Sequence, residues 1–147
     1  MVMSGTPLKA ILVVDDSEDD VHMLRRSAKM IGLTNAILHV ASVEDAICYF
    51  KGEGRFSNRD EYPMPSLVLL DLKFNVRNGL DVLTYIRSQP GLFGVIVIAM
   101  SSTEDPAIIR RAYELGANSF LLKPFSNDAL DDMLKALHHY WLTLNRT

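Results

Sequence analysis

The segment ILVVDDSEDD, Ile11–Asp20, runs four apolar residues into two adjacent aspartates, with two more acids just beyond. The apolar run has the length of a buried strand, and Ala10–Val14 reads as the first one. Ser17 then stands at a helix N-cap, with Asp20 three residues on in a capping-box spacing. Val21, Leu24, Ala28 and Ile31 form that helix's apolar stripe, and Gly32 stops it. Carboxylates crowded at a strand end repel each other, and partial burial makes their charged forms costlier still. Asp15 and Asp16 therefore need a reason to be there.

The strand–turn–helix unit recurs along the chain. Ala36–Ala41 reads as strand two, followed by Ser42 and Asp45 in the same cap spacing and a helix that turns Val43, Ala46, Ile47 and Phe50 inward. Lys51 to Ser66 has no usable period and carries glycines and prolines, which predicts a surface loop. Ser66–Asp71, SLVLLD, is strand three, apolar on both faces as a central parallel strand must be. The Asn78-Gly79 pair turns into a helix with Leu80, Leu83 and Ile86 inside. Val95–Met100 is strand four. Pro106 suits the first turn of a helix carrying Ile108, Ile109, Ala112 and Leu115, closed by Gly116. Asn118–Leu122 is strand five, Lys123-Pro124 a turn, and Ser126 caps a last helix that reaches Leu144. Five strands alternating with five helices predict an α/β fold: a doubly wound, five-stranded parallel sheet with right-handed crossovers.

The 147 residues, 48% apolar and 22% charged, amount to one globular domain. Residues 1–7 read as a disordered tail and 8–147 as the domain. A net charge of −3 argues against a general nucleic-acid binder. A single cysteine, Cys48, allows no internal disulfide and fits a reducing cytoplasm. No apolar run approaches the roughly 20 residues of a membrane span, and MVMSGTP lacks the regions of a signal peptide. The expectation is a cytoplasmic domain without a nucleic-acid or membrane partner.

In such sheets the functional crevice lies outside the carboxyl ends of the strands. Strand one ends in Asp15 and Asp16, strand three in Asp71, strand four in Ser101 and strand five in Lys123. A lone aspartate there is commonly a cap or turn residue. Three at one edge, with a lysine and a hydroxyl, make a hard oxygen site that suits Mg²⁺. Mg²⁺, a carboxylate nucleophile, a lysine and a hydroxyl together make a phosphoryl-transfer kit.

The motifs VVDD, LVLLDL, AMSS and FLLKPF, in this order and spacing, closely resemble the receiver domain of two-component response regulators, the CheY-like superfamily. The resemblance covers Leu8 to Leu144 and implies a flavodoxin-like (βα)5 fold. It implies that Asp71 is phosphorylated by a partner histidine kinase or phosphotransfer protein. It makes Asp16, Asp71 and the backbone carbonyl of Lys73 the Mg²⁺ ligands, with Asp15 acting through water. Lys123 would pair with the phosphoryl group and Ser101 would hydrogen-bond it. Phe120 takes the place of the aromatic switch that turns inward as the Ser101 loop closes, and Lys123-Pro124 would be a cis peptide.

This chain departs from the family pattern at three places. Asn75 stands where a proline is usual. Lys73 sets an ammonium beside the site, where it either pairs with Asp71, shields a phosphoryl group from water, or stands solvated. Phe120 lacks the hydroxyl of the commoner tyrosine, so a switch there works by packing. Nothing but Asn145 to Thr147 follows the last helix, which resembles a stand-alone receiver with a downstream protein partner. In the family, the face formed by helix four, strand five and helix five commonly serves for such protein contacts, including homodimerisation. The Lys51–Ser66 loop is similar to an extension in the response regulators of bacterial phytochromes.

The last helix spaces Leu130, Met133, Leu134, Leu137, Tyr140, Trp141 and Leu144 as a helical stripe, whose far end could leave the sheet. Adjacent His138 and His139 share no helix face and read as solvent-facing or packed. Of the rival functions, a Mg²⁺-dependent phosphohydrolase would need a carboxylate at position 73, where Lys73 stands. A flavin carrier would need Ser, Thr and Gly after strand one, where the loop is acidic. A receiver-like module that binds without phosphorylation is the remaining alternative.

Overall fold

The computed structural model describes residues 9–72 and 76–146, without the side chains of 76–78. Five parallel strands, β1 (Ile11–Val14), β2 (Ile37–Val40), β3 (Leu67–Asp71), β4 (Ile96–Ser101) and β5 (Ser119–Leu122), form one sheet in the order β2-β1-β3-β4-β5. Helices α1 (Glu18–Met30), α2 (Val43–Lys51), α3 (Val76–Ser88), α4 (Pro106–Glu114) and α5 (Asn127–Leu137) alternate with them. The chain reverses direction across the sheet between β1 and β3, and the switch point lies there.

Strand alternation divides the core into two layers. Leu12, Val14, Val68, Leu70, Val97 and Ala99 pack on one face with Tyr49 and Phe50 of α2, Val82, Leu83 and Ile86 of α3, and Ala112 of α4. Ile11, Val13, Leu67, Leu69, Ile98 and Met100 pack on the other with Val21, Leu24 and Ala28 of α1 and Leu134 and Leu137 of α5. β3 is buried along its whole length, as its unbroken apolar run predicts.

The helix starts follow from the caps. Ser17, Ser42 and Ser126 each accept a hydrogen bond from the backbone N–H three residues on, and Asp105 accepts from Ala107 ahead of Pro106. Gly32 and Gly116 adopt φ of 78° and 108°, in the left-handed region past their helix ends. Gly79 is different: it lies inside α3 rather than in a turn. A Cβ there would come within 2.7 Å of Leu72 Cδ2, so this glycine allows α3 to close on the end of β3.

Three local expectations need correction. In α2 the inward residue is Tyr49, fully buried, rather than Ile47, because the Lys51–Ser66 loop folds back over that face. The Tyr49 hydroxyl donates to the Pro63 carbonyl at 2.7 Å, and its ring meets Phe56 and Tyr62. Arg59 closes the loop by donating to the carbonyls of Phe50 and Tyr62. The last helix is α-helical only to Leu137 and continues as a π-helical segment, His138–Leu144. In that segment His138 and His139 are exposed, Trp141 and Leu142 pack on the core, and Tyr140 and Leu144 are about half exposed. Third, no peptide bond is cis among the described residues, so Lys123–Pro124 is trans, the isomer that an X–Pro bond favours by about 0.5–1 kcal/mol.

Candidate functional site

β1 and β3 end side by side at the switch point, and their last outward steps place Asp15 and Asp71 on the face shared with α1 and α5. Both are buried, Asp71 completely. Asp15 is fixed at three points: its N–H donates to the Val40 carbonyl, its carbonyl oxygen lies 2.6 Å from His39 Nε2, and its Oδ1 accepts the Ser17 N–H at 2.8 Å. Lys123 leaves the end of β5 on the same face, and its backbone N–H is held by the Ser101 carbonyl.

The Lys123 ammonium is the centre of the site. Nζ contacts Asp71 Oδ2 directly, lies 2.6 Å from Asp20 Oδ2 and lies 3.4 Å from Asp15 Oδ2. One oxygen from each of Asp15, Asp20 and Asp71 falls within 4.8 Å of the others. Three carboxylates around one cation leave a net negative site. Burial pushes the Asp15 carboxyl up from 3.8 to about 6; the Ser17 N–H opposes this, and the neighbouring Asp71 adds to it. Burial disfavours the Lys123 charge, yet the Asp20, Asp71 and Asp15 carboxylates outweigh it and hold the ammonium above the ordinary lysine range.

Of the residues anticipated from the sequence, the structure brings Asp15, Asp71 and Lys123 into one cluster. Asp16 is exposed and stands outside the three-carboxylate group. Ser101 is buried at the end of β4, but it continues the row of Val97 and Ala99 on the opposite face, and its Oγ accepts the Thr103 N–H at 3.2 Å. Phe120 is half-buried against the α2–α4 layer, and its backbone N–H donates to the Tyr113 hydroxyl of α4 at 3.1 Å. Lys73 and Asn75 lie outside the described residues.

Asp20 is the residue that the sequence reading missed. The capping-box spacing accounts for it locally, but the structure forms only half of that box: the Asp20 N–H donates to Ser17 Oγ, while the Ser17 N–H goes to Asp15 Oδ1. Its side chain instead crosses to a lysine 103 positions away. The available signal was its place in the first turn of a helix whose N-terminus abuts the acidic strand end. Beside this cluster a cavity of about 400 Å³ opens between α1 and α5, walled by Met23, Leu24, Met100, Leu130 and Met133.

A parallel sheet in 2-1-3-4-5 order with charged groups at its switch point defines a flavodoxin-like α/β domain. More specifically, residues 11–135 match the response regulator receiver domain, and the chain belongs to that family. It is a family of phosphoacceptor proteins of two-component signalling, which receive phosphoryl groups from histidine kinases. The chain is 26% identical over 138 residues to response regulator Rcp1 of Synechocystis sp. (strain ATCC 27184 / PCC 6803 / Kazusa), covering 94% of this chain and 92% of that one. A crystal structure of Rcp1 in its Mn²⁺-bound form superposes with a TM-score of 0.79 at 25% identity, over 94% and 97% of the two chains. Response regulator RPA3017, of red light signaling in R. palustris, gives a TM-score of 0.86 at 28% identity over 95% and 97%. The phosphorylated cyanobacterial phytochrome response regulator RcpA gives 0.83 at 25% over the same shares. Among the described residues no helix is long and apolar enough to cross a membrane.

Proposed function

We propose that this receiver, spanning residues 8–147, accepts a phosphoryl group on Asp71 from a histidine kinase or phosphotransfer protein and signals through altered protein contacts. The observation that carries the reading is Asp71 itself: a fully buried carboxylate at the end of the central strand, in contact with Lys123 and with two further carboxylates close by. In the transfer, an Asp71 carboxylate oxygen forms a bond to phosphorus as the phosphorus–nitrogen bond of the donor's phosphohistidine breaks, and the donor imidazole takes up a proton. The product is an acyl phosphate. Lys123 pairs with its oxygens and Ser101 donates to them, once its hydroxyl turns from Thr103.

The donor set fits a divalent cation. Carboxylate oxygens are hard ligands that suit Mg²⁺, and one oxygen from each of Asp15, Asp20 and Asp71 lies within 4.8 Å of the others, which supports the reading. Asp16, Asp71 and the Lys73 backbone carbonyl would hold Mg²⁺, with Asp15 contributing through water. A bound Mg²⁺ supplies charge neutralisation for the equatorial phosphoryl oxygens. The relative Rcp1 has a Mn²⁺-bound form and the relative RcpA a phosphorylated one, which supports both parts of the reading.

Phosphorylation adds up to about two negative charges and new acceptors. The Ser101 loop and Phe120 carry this change to the face formed by α4, β5 and α5, where Tyr113 and Leu122 are nearly half exposed and Phe125 more so. That face is the proposed homodimer and downstream-partner surface. Catalysis is limited to self-catalysed phosphorylation and dephosphorylation of Asp71, and the proposed setting is the cytoplasm, where the free thiol of Cys48 persists.

The test is intact mass after incubation with a small phosphodonor, with and without Mg²⁺, for the wild type and Asp71→Asn. One added phosphoryl group only in the Mg²⁺-containing wild type is the expected result. No gain under any condition would leave a receiver-like module that binds its partners without phosphorylation.

A further inference from the structure

β2 is an edge strand, and its last two residues hold the acidic turn of its neighbour. In the β1–β2 ladder Val13 pairs with His39 and Val14 with Val40. One step beyond the ladder, the Asp15 N–H still donates to the Val40 carbonyl at 3.1 Å. The next backbone group, the Asp15 carbonyl, lies past the end of β2, which stops at Val40. His39 Nε2 reaches it at 2.6 Å. A carbonyl oxygen only accepts, so this contact requires the proton on Nε2.

The consequence lies in the backbone. The Asp15 carbonyl and the Asp16 N–H belong to one rigid peptide plane. With the preceding plane tied to Val40 and this one tied to His39, both planes around the Asp15 Cα are anchored on β2. The direction in which the Asp15 side chain leaves the backbone is then set, and its Oδ1 is also held by Ser17. The Asp15 and Asp71 carboxylates repel, and rotation of the Asp15–Asp16 peptide is the simplest way for the turn to relax outward. The His39 bond opposes that rotation.

We infer that His39 is a positioning residue: its ring Nε2–H, given to the Asp15 carbonyl, keeps the Asp15–Asp16 turn in the conformation that takes up a divalent cation. It touches neither the cation nor the phosphoryl group, and it acts through Asp15. The inference rests on the reading of the acidic cluster as a Mg²⁺ site.

His39→Gln and His39→Met test it as a pair. Both replacements are unbranched and of similar length, and only glutamine retains a donor. Mg²⁺ affinity is measured by calorimetric titration with MgCl₂, and thermal midpoints are measured alongside. The expected result is that His39→Gln binds Mg²⁺ close to the wild type, whereas His39→Met binds about 10-fold more weakly at a similar midpoint. Equal affinities in the two variants, whether both normal or both weakened, would overturn the positioning role, since the donor would then not matter. Imidazole ¹⁵N spectra of the metal-free wild type supply a readout that needs no Mg²⁺. A ring locked in the Nε2–H tautomer is expected, and a population with Nε2 unprotonated would overturn the inference directly. A wild type that shows the tautomer yet binds no Mg²⁺ would instead remove the metal site, and with it the function assigned to the contact.

Discussion

Lys123 and Arg87 are both half-buried cations at the ends of the same sheet, and their surroundings are opposite. Lys123 meets three carboxylates at the carboxyl end. At the other end Arg87 donates to the carbonyls of Gly116, Leu92 and Val95 and to Asn118 Oδ1, all of them neutral acceptors. Burial accordingly pulls the Arg87 guanidinium below its usual range, while the carboxylates raise Lys123 against the same effect. A guanidinium fork fixed on neutral acceptors is a rigid clamp between α3 and the starts of β4 and β5. An ammonium among competing carboxylates is a point charge whose partners can be exchanged. The first arrangement holds the fold, and the second can respond to a ligand.

The sharpest way to break this contrast is to remove each cation. Lys123→Met strands buried Asp15 and Asp71 carboxylates without their counter-charge, at a cost of about 3–5 kcal/mol in EDTA near pH 8. On the proposed Mg²⁺ reading, added Mg²⁺ is expected to stabilise this variant more than the wild type and to close part of the gap. Arg87→Met leaves buried carbonyls unpaired and costs about 2–3 kcal/mol, a gap that Mg²⁺ does not change. Urea unfolding with and without MgCl₂ reads both effects. An Arg87→Met loss that Mg²⁺ repairs would mean the two ends are coupled, and the comparison would fail.

The Lys123 end also carries a pH dependence that the Arg87 end lacks. Burial raises the Asp15 carboxyl from 3.8 to about 6 in the fold. The folded state therefore holds the extra proton between those values, and stability falls as pH rises through that window. Asp15→Asn cannot ionise there and escapes this loss. Its metal-free stability relative to the wild type is expected to be near parity below pH 4 and to grow to at most about 3 kcal/mol above pH 7. A relative stability that is flat with pH would show that burial does not raise the Asp15 carboxyl.

These two ends were not equally legible in the sequence. The alternation of apolar runs and helix-period segments was enough for five strands, their order of appearance and the row of polar strand ends, because a sheet buried on both faces requires continuous apolar strands. Asp15, Asp71 and Lys123 met as the strand ends implied. Asp20 did not show itself, since a capping-box spacing explained it locally and its partner is remote in sequence. Tyr49 was missed for a related reason: the loop that covers it has no period, and only in three dimensions do Phe56, Tyr62 and Arg59 close over its ring. The Arg87 clamp left no trace either, because backbone carbonyls have no sequence signature.

The smallest expected effect separates the two kinds of contact within the Lys123 cluster itself. Asp20 lies closer to Nζ than Asp15 does, 2.6 Å against 3.4 Å, but its side chain is 36% exposed where that of Asp15 is 4% exposed. Distance alone would rank Asp20 first. Solvent screening reverses the order, because an exposed ion pair contributes only about 0.5–1 kcal/mol while a desolvated one changes the fold's stability by several. Asp20→Asn, which keeps an acceptor and removes the charge, is therefore expected to cost about 0.5–1 kcal/mol in low salt. The loss should shrink in 1 M NaCl, where the Debye length falls to about 3 Å. The Lys123→Met loss should persist there, since its stranded carboxylates are shielded from salt. Urea midpoints of both variants at the two salt concentrations decide the matter. If Asp20→Asn loses as much as Lys123→Met, and keeps that loss in salt, then Asp20 rather than the buried pair anchors the ammonium. Lys123 would then be tied to α1 instead of being poised over Asp71.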